Sequence, residues 1–383
     1  MSKVRLGDVA IEHKETCKTA KNGYPIVGLE HLIPEEITLS AWDEGCDNTF
    51  SKVFRKGNVL FGRRRAYLKK ASVAPFDGIC SGDITVIEAL PEKILPELLP
   101  FIIQNDALFD YAVGKSAGSL SPRVKWEHLQ NYEFELPELN KQKELADILW
   151  AMDETKKSYQ KLISATDELV KSQFIEQFNL PLAKSNGWHI VSLSSVTAKP
   201  ISGEWGQEDT SGDGVKVLRT TNFTDSGIID YSDVVKRKIE PKKIDSKALR
   251  DGDILIEKSG GSDTKPVGRV VFYDETSETY LFNNFTALLR PNTQNLNNKY
   301  LFCFLYVTYC IGGTKPFENK TTGIHNLKLE DFLDNTLIPI PPKEIQEQFA
   351  DFVRQSDKSK FELEQALSEL TATYKRIISD NLG

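Results

Sequence analysis

Apolar side chains recur at heptad spacing in two separate stretches of the chain. In the first they fall at Leu145, Ile148, Met152, Thr155, Tyr159, Leu162, Thr166 and Leu169. In the second they fall at Phe349, Phe352, Ser356, Ser359, Leu363, Ala366, Leu370 and Thr373. One heptad frame at a constant offset fits both, which predicts two long helices whose seams face each other. Small residues in one seam tend to oppose bulkier ones in the other, so the spacing favours pairing within the chain. The alternative is that each helix packs on its own globular unit, since a lone helix of this length would be marginal in water. Pro137 and Pro341 suit helix starts, where a missing amide is tolerated. Pro181 is expected to close the first helix, and the second is expected to run to Asn381. From Lys141 to Phe178 a helix measures roughly 57 Å at 1.5 Å per residue. That matches about 17 base pairs of duplex at 3.4 Å per step. Paired antiparallel, such helices are expected to hold globular units at opposite ends.

Outside the helices the pattern is mixed. Val59-Leu60-Phe61-Gly62 and Asp253-Ile-Leu-Ile-Glu read as buried strands, and Glu133 and Glu135 alternate along another with a solvent face. Tyr300 to Ile311 is the most apolar run and reads as a core helix, being too short to span a bilayer.

The chain repeats itself. Asn140-Lys-Gln-Lys-Glu-Leu-Ala-Asp-Ile-Leu aligns with Glu344-Ile-Gln-Glu-Gln-Phe-Ala-Asp-Phe-Val, placing Gln142 on Gln346 and Asp147 on Asp351. Pro137 falls on Pro341, Lys115-Ser-Ala-Gly on Lys320-Thr-Thr-Gly, and Lys56-Gly-Asn-Val-Leu-Phe on Asp251-Gly-Asp-Ile-Leu-Ile. Arg5-Leu-Gly-Asp-Val similarly matches Ser192-Leu-Ser-Ser-Val. A repeat of about 190–200 residues is domain duplication and not a solenoid. The predicted order is globular unit 1–136, helix 137–180, globular unit 181–340, helix 341–383, an α+β fold with a pseudo-two-fold internal repeat.

Composition narrows the class. The 383 residues suit two domains, and 40% apolar with 27% charged residues is a globular balance. Cys17, Cys46, Cys80, Cys303 and Cys310 make no CxxC pair and no metal-ligand spacing, so no metal site is expected. No apolar run follows the positively charged first residues, and a cytoplasmic protein without a membrane partner is expected. Gly114-Lys115-Ser116 is not a phosphate loop, because Phe109 stands where its first glycine must be. There is no GxSxG. Pro341-Pro342 follows Ile340, so the methyltransferase tetrad is absent too. No motif supports an active site.

Net charge is −7, which argues against a nucleic-acid partner until the distribution is considered. Asn48 to Phe76 holds Lys52, Arg55, Lys56, Arg63, Arg64, Arg65, Lys69 and Lys70 with no acidic residue, interleaved with Phe50, Phe54, Phe61 and Tyr67. An Arg-rich turn after an apolar strand suits phosphates and guanine edges. A solvated basic loop or a protein interface fits the same residues. The second copy has Lys236, Arg237, Lys238, Lys242, Lys243, Lys247 and Arg250, diluted by Glu240 and Asp245. At the place of the Arg-rich turn it has Ser259-Gly-Gly-Ser-Asp-Thr-Lys-Pro, whose glycines allow close backbone approach.

The order of these motifs resembles the specificity subunits of type I restriction–modification enzymes. The resemblance covers essentially the whole chain. It is carried by Leu136-Pro137…Lys141-Gln142 and Ile340-Pro341-Pro342…Ile345-Gln346 at the helix starts, by Arg65-Ala-Tyr-Leu-Lys-Lys, and by Val217-Leu-Arg-Thr-Thr-Asn-Phe. The first helix start lacks the family's Glu before Gln and has Glu138 for a second proline, and Ala66 replaces a proline. The resemblance implies two target-recognition domains joined by an antiparallel coiled coil, each reading half of a bipartite site in double-stranded DNA. It further implies docking of two DNA-methyltransferase subunits, joined by restriction/translocase subunits. The chain would be non-catalytic and hold no cofactor, with S-adenosylmethionine, ATP and Mg on the partners. Arg63, Arg64, Arg65, Tyr67, Lys69 and Lys70 are the expected DNA contacts in the first unit. Ser259, Gly260, Gly261, Thr264 and Lys265 are those in the second. Competing readings are a specificity module of another restriction class, a protein–protein scaffold, and an enzyme acting alone.

Overall fold

A computed structural model describes residues 2–17, 23–44, 48–275, 277–321 and 323–383, so Cys46 and Thr322 lie outside the described residues. Two helices of 40 residues dominate, Leu139–Phe178 and Lys343–Leu382. The chain divides into two compact units. One comprises Met1–Lys161 with Leu363–Gly383, the other Leu162–Glu362, so each holds part of both long helices.

The first unit has a four-stranded antiparallel sheet ordered Ala10–Glu12, Ile84–Ala89, Val59–Gly62, Ala71–Val73. A second sheet sets Pro25–Val27 parallel to Gly78–Cys80, with Asp43–Glu44 and Lys52–Phe54 on its edges. Ser2–Arg5 pairs with Glu133–Leu136, immediately before the long helix. The second unit repeats this plan, although no described strand there matches Lys52–Phe54 and Gln207–Glu208 is added at the opposite edge. Ile201–Ser202, Thr286–Leu289, Asp253–Glu257 and Val270–Tyr273 form the first sheet, and Val215–Leu218 lies parallel to Tyr280–Phe282 in the second. His189–Ser192 pairs with Leu337–Ile340. The central strands Val59–Gly62 and Asp253–Glu257 are buried throughout, the second with its terminal carboxylates paired to Arg290 and Arg269.

Duplication extends to single hydrogen bonds. The Gly28 amide donates to His31 Nδ1 at 2.9 Å, and the Arg219 amide donates to Asn222 Oδ1 at 2.8 Å, each closing a short 3₁₀ turn. The paired glutamines at the helix starts are buried, 3% and 0% exposed. Gln142 accepts from the Leu95 amide and donates to the Pro137 carbonyl, both at 2.9 Å. Gln346 accepts from the Asn297 amide at 2.9 Å and donates to the carbonyls of Asn295 and Pro341. A primary amide satisfies a donor and acceptors that no apolar side chain serves.

The heptad frame is half right. Leu145, Met152, Tyr159 and Thr166 lie on the inner face, but the alternate positions sit one residue later, at Leu149, Lys156, Ile163 and Val170. Ile148, Leu162 and Leu169 are instead 47%, 51% and 46% exposed. The second helix shifts identically, from Phe352, Ser359, Ala366 and Thr373 to Val353, Lys360, Leu367 and Tyr374. Three- and four-residue steps alternate in either order, and the apolar pattern alone did not choose between them. Within the first unit Leu145, Leu149 and Trp150 share a core with Tyr374, Ile378 and Leu382. Within the second, Phe174 and Phe178 close on Phe349 with ring centroids 5.4 and 5.1 Å apart. Rising numbers on one helix meet falling numbers on the other in each unit, so the paired segments run antiparallel. Pro181 does not end the first helix; Asn179 breaks it and caps a further turn, Leu180–Ser185, with Pro181 in its first turn.

Candidate nucleic-acid interface

The Arg-rich turn leaves the central strand at Gly62 and is held to a neighbouring loop. Arg63 donates its amide to the Asp83 carbonyl at 3.0 Å and accepts from the Val124 amide at 3.0 Å. Arg64 bridges to Arg123, and its guanidinium reaches Ser121 Oγ at 3.0 Å. Asp83 binds Arg123 Nε at 2.7 Å. That bond holds the Asp83 carboxyl below its usual range against the opposing effect of partial burial, and Arg64 adds to it. Arg65 then takes a left-handed conformation, φ 55°, and Lys69 another, φ 50°, bracketing a 3₁₀ turn over Ala66–Leu68. Left-handed backbone costs a non-glycine residue about 1–2 kcal/mol.

The predicted contacts divide into two groups. Arg65 and Tyr67 project to solvent, Tyr67 at 54% exposure, and the Arg65 guanidinium has no partner among the described residues. Lys69 is ion-paired to Asp106 at 2.5 Å, and Lys70 donates to the Leu29 carbonyl at 2.8 Å. Lys70 pins the 3₁₀ turn at Leu29–His31. Arg269 does the same in the second unit, reaching the Thr220 carbonyl at 3.2 Å while paired to Glu257 at 2.9 Å. The Glu257 bond raises the Arg269 pKa over the opposing effect of burial.

In the second unit Ser259–Gly261 forms a strand against Ile324–Leu327, the counterpart of the Arg64–Arg123 bridge. Gly260 has φ 130°. A Cβ on Gly261 would lie 2.6 Å from the Val267 amide, so its close approach is used within the protein. Thr264 is exposed beside Ser262, and Lys265 is paired to Asp225 at 2.8 Å. Asp263 binds Lys320 at 2.5 Å, which lowers its pKa.

The second basic stretch is largely neutralised internally. Lys238 pairs with Asp213, Lys243 and Lys247 pair with Glu204, and Arg237 stacks on Trp205 at 4.4 Å. Lys236 donates to the Gly212 carbonyl at 3.0 Å, and only the side chains of Lys242 and Arg250 in that stretch have no partner among the described residues. Sequence reasoning missed Arg123 and Asp83, which organise the first turn, and Lys125, Lys199, Lys258 and Lys328. Backbone pairing matches Val124-Lys125 with Leu327-Lys328, one residue out of step with the sequence alignment.

No cluster of His, Cys, Asp and Glu among the described residues is arranged to hold a metal ion, and no described helix is long and apolar enough to cross a membrane.

The duplicated α+β unit, closed by long helices and carrying a turn after its central strand that is paired to a second segment in each copy, defines a repeat-built recognition protein. A model of the type I restriction modification DNA specificity domain matches residues 1–165 and again 187–371, so the chain belongs to that family. It is a DNA-recognition subunit of a type I restriction–modification system, and membership implies a non-catalytic subunit that works with DNA and other subunits of the system. Among solved structures it is similar to a chain described for complex assembly and conformational transition of the type I R-M system, with 22% identity, TM-score 0.61 and coverage of 99% and 97% of the two chains. It is similar also to the type I restriction–modification S subunit from M. genitalium, with 14% identity, TM-score 0.57 and coverage of 98% and 94%. The HsdS subunit from Thermoanaerobacter tengcongensis matches at 23% identity and TM-score 0.41, over 99% and 96%. At these identities the first two likenesses support the fold.

Proposed function

We propose that each globular unit reads one half of a bipartite duplex site. Residues 1–136 and 181–340 act as the two readers, and the helices of 137–180 and 341–383 set the spacer and dock two DNA-methyltransferase subunits. Restriction/translocase subunits complete the assembly. In this reading S-adenosylmethionine, ATP and Mg act on the partners, and the chain supplies specificity in the cytoplasm. The observation that carries the reading is the duplicated turn. In both units the chain leaves the central strand and is paired, at matched positions, to a second segment, at Arg64–Arg123 and at Ser259–Asn326. The two turns differ in chemistry, arginines in one and Ser-Gly-Gly in the other, as two readers of different half-sites should.

Methylation sequencing of cells carrying the chain with its neighbouring methyltransferase, beside a deletion strain, tests this. A bipartite motif lost on deletion, with one half altered by exchanging one globular unit, is the expected result. Loss of a single undivided motif, or no motif depending on the chain, would refute it.

A further inference from the structure

The basic side chains that stand out in the sequence are mostly tied to nearby carboxylates or carbonyls. Another set, Arg63 among it, is left without carboxylate partners among the described residues, and it recurs in both units. Arg63 and Lys258 occupy the same place: each follows the central strand, and each is held through both backbone groups. The Arg63 amide donates to the Asp83 carbonyl and the Lys258 amide to the Phe285 carbonyl, at 3.0 and 2.8 Å. The Arg63 carbonyl accepts from Val124 and the Lys258 carbonyl from Leu327, at 3.0 and 2.8 Å. The next residue in each case is a second exposed cation, Lys125 or Lys328.

In the second unit the pair lines an open cleft of about 430 Å³ with Lys199, Ser202, Glu330 and Asp331. Lys258 donates to Ser202 Oγ at 2.8 Å, and burial with neighbouring Lys247 lowers its pKa. None of Lys199, Lys258 and Lys328 forms an ion pair among the described residues, although Glu330 and Asp331 share the cleft. In the first unit the Arg63 Nε is buried with no acceptor among the described residues. A buried guanidinium donor left unmet costs free energy, which a shift of the side chain toward an arriving phosphate would recover.

We propose that each repeat carries a two-cation phosphate grip, Arg63 with Lys125 in the first unit and Lys258 with Lys328 in the second, which holds the DNA backbone whatever its sequence. Lys199 adds a third cation in the second unit. The proposal rests on the DNA-reading role above and assigns these residues to positioning, leaving base discrimination to others. A grip repeated at matched backbone positions fixes each reader on the duplex in the same register, while the side chains beyond it differ. It also lets a chain of net charge −7 engage DNA through local charge.

The test uses the chain assembled with its methyltransferase partners, on a cognate duplex and on one with both half-sites scrambled, over a range of salt. The paired variants are Lys258→Gln with Lys328→Ala, and Arg63→Gln with Lys125→Ala. Gln at 258 retains a donor for Ser202. Each pair should flatten the log-affinity against log-salt slope by roughly 1.8, about 0.9 per phosphate contact. Both duplexes should weaken by the same factor, the methylated motif should stay unchanged, and Lys258→Arg with Lys328→Arg should keep the wild-type slope. Wild-type slopes in both paired variants, or loss confined to the cognate duplex, would overturn the grip. Equal binding of the two duplexes by the wild-type assembly would overturn the reading role instead, while the slopes would still decide the grip.

Discussion

Lys360 Nζ lies 2.8 and 2.9 Å from the two carboxylate oxygens of Asp167, joining the two long helices inside the second unit. The lysine is nearly buried, its side chain 8% exposed, and the aspartate is about a third exposed at 31%. Removing one partner strands the other in poorly hydrated surroundings, whereas replacing both with apolar groups restores packing. Asp167→Ala should therefore destabilise the chain by about 1–2 kcal/mol, discounted for the exposure of the carboxylate. The double variant Asp167→Leu with Lys360→Met should return to within about 0.5 kcal/mol of wild type. Urea unfolding of wild type, Asp167→Leu, Lys360→Met and the double variant closes a cycle that measures the coupling, and additive losses would show that the pair contributes nothing of its own.

Gln346 makes a stronger case, because every polar atom of its amide is used. Gln346→Ala leaves the Asn297 amide and the Asn295 and Pro341 carbonyls without that partner, in a site with no exposure. The expected loss is about 2–4 kcal/mol from unmet hydrogen bonds plus the cavity. Gln142→Ala should behave alike, and Gln346→Leu should not rescue, since its volume fits but its hydrogen bonds do not. A leucine variant with wild-type denaturation midpoint would refute this role.

How far these features could be read in the sequence varies with their range. The helices and the duplication were legible because heptad spacing and matched Gln, Pro and Gly positions are local patterns. The seam was only half legible. Ile148, Leu162 and Leu169 are apolar but exposed, while the inner face admits Lys156, Asp153 and Lys360. A scan for apolar residues favours the former and passes over the latter. At the interface, the sequence showed where cations lie but not which are already paired. The acids that occupy Lys69 and Lys265 are Asp106 and Asp225, supplied by tertiary structure across long stretches of chain.

Asp83 gives the first unit a pH signature. Its bond to Arg123 lowers its folded-state pKa, so the stabilisation is fully present above the unfolded value near 4 and is lost as pH falls through the folded value. Asp83→Asn should reduce stability by about 1 kcal/mol at pH 7. The gap to wild type should narrow as pH drops below about 4. Thermal midpoints of both proteins between pH 7 and pH 3 follow this directly; a gap constant to pH 3 would exclude an ionised Asp83 as its source.

Arg65 sets stability against recognition. Its left-handed backbone suits glycine, yet the residue is an arginine whose guanidinium has no protein partner among the described residues. Arg65→Gly should leave stability unchanged or raise it by up to about 1 kcal/mol, strain relief being offset by glycine's chain entropy. The same change should weaken DNA binding by the assembled enzyme by roughly 1–3 kcal/mol if the guanidinium reads a base, with preference relaxed at one position. Undiminished affinity together with unaltered half-site preference would remove Arg65 from the interface.

The last prediction concerns the helices as a measure of distance. Leu162 and Ala366 hold equivalent places in the repeat, and a seven-residue insertion after each preserves the inner face, because the seam repeats every seven residues. Each helix would lengthen by about 10 Å at 1.5 Å per residue. Along duplex DNA that is some three base pairs. If the helices set the spacer, methylation sequencing of cells carrying the lengthened chain should return both half-sites unchanged and a spacer longer by about three. Insertion in one helix alone throws the facing seams out of step, so it should lower stability and abolish methylation instead of shifting the spacer. An unchanged spacer in the doubly lengthened protein, with methylation intact, would mean that distance is fixed by the partner subunits and that these helices serve only to dock them.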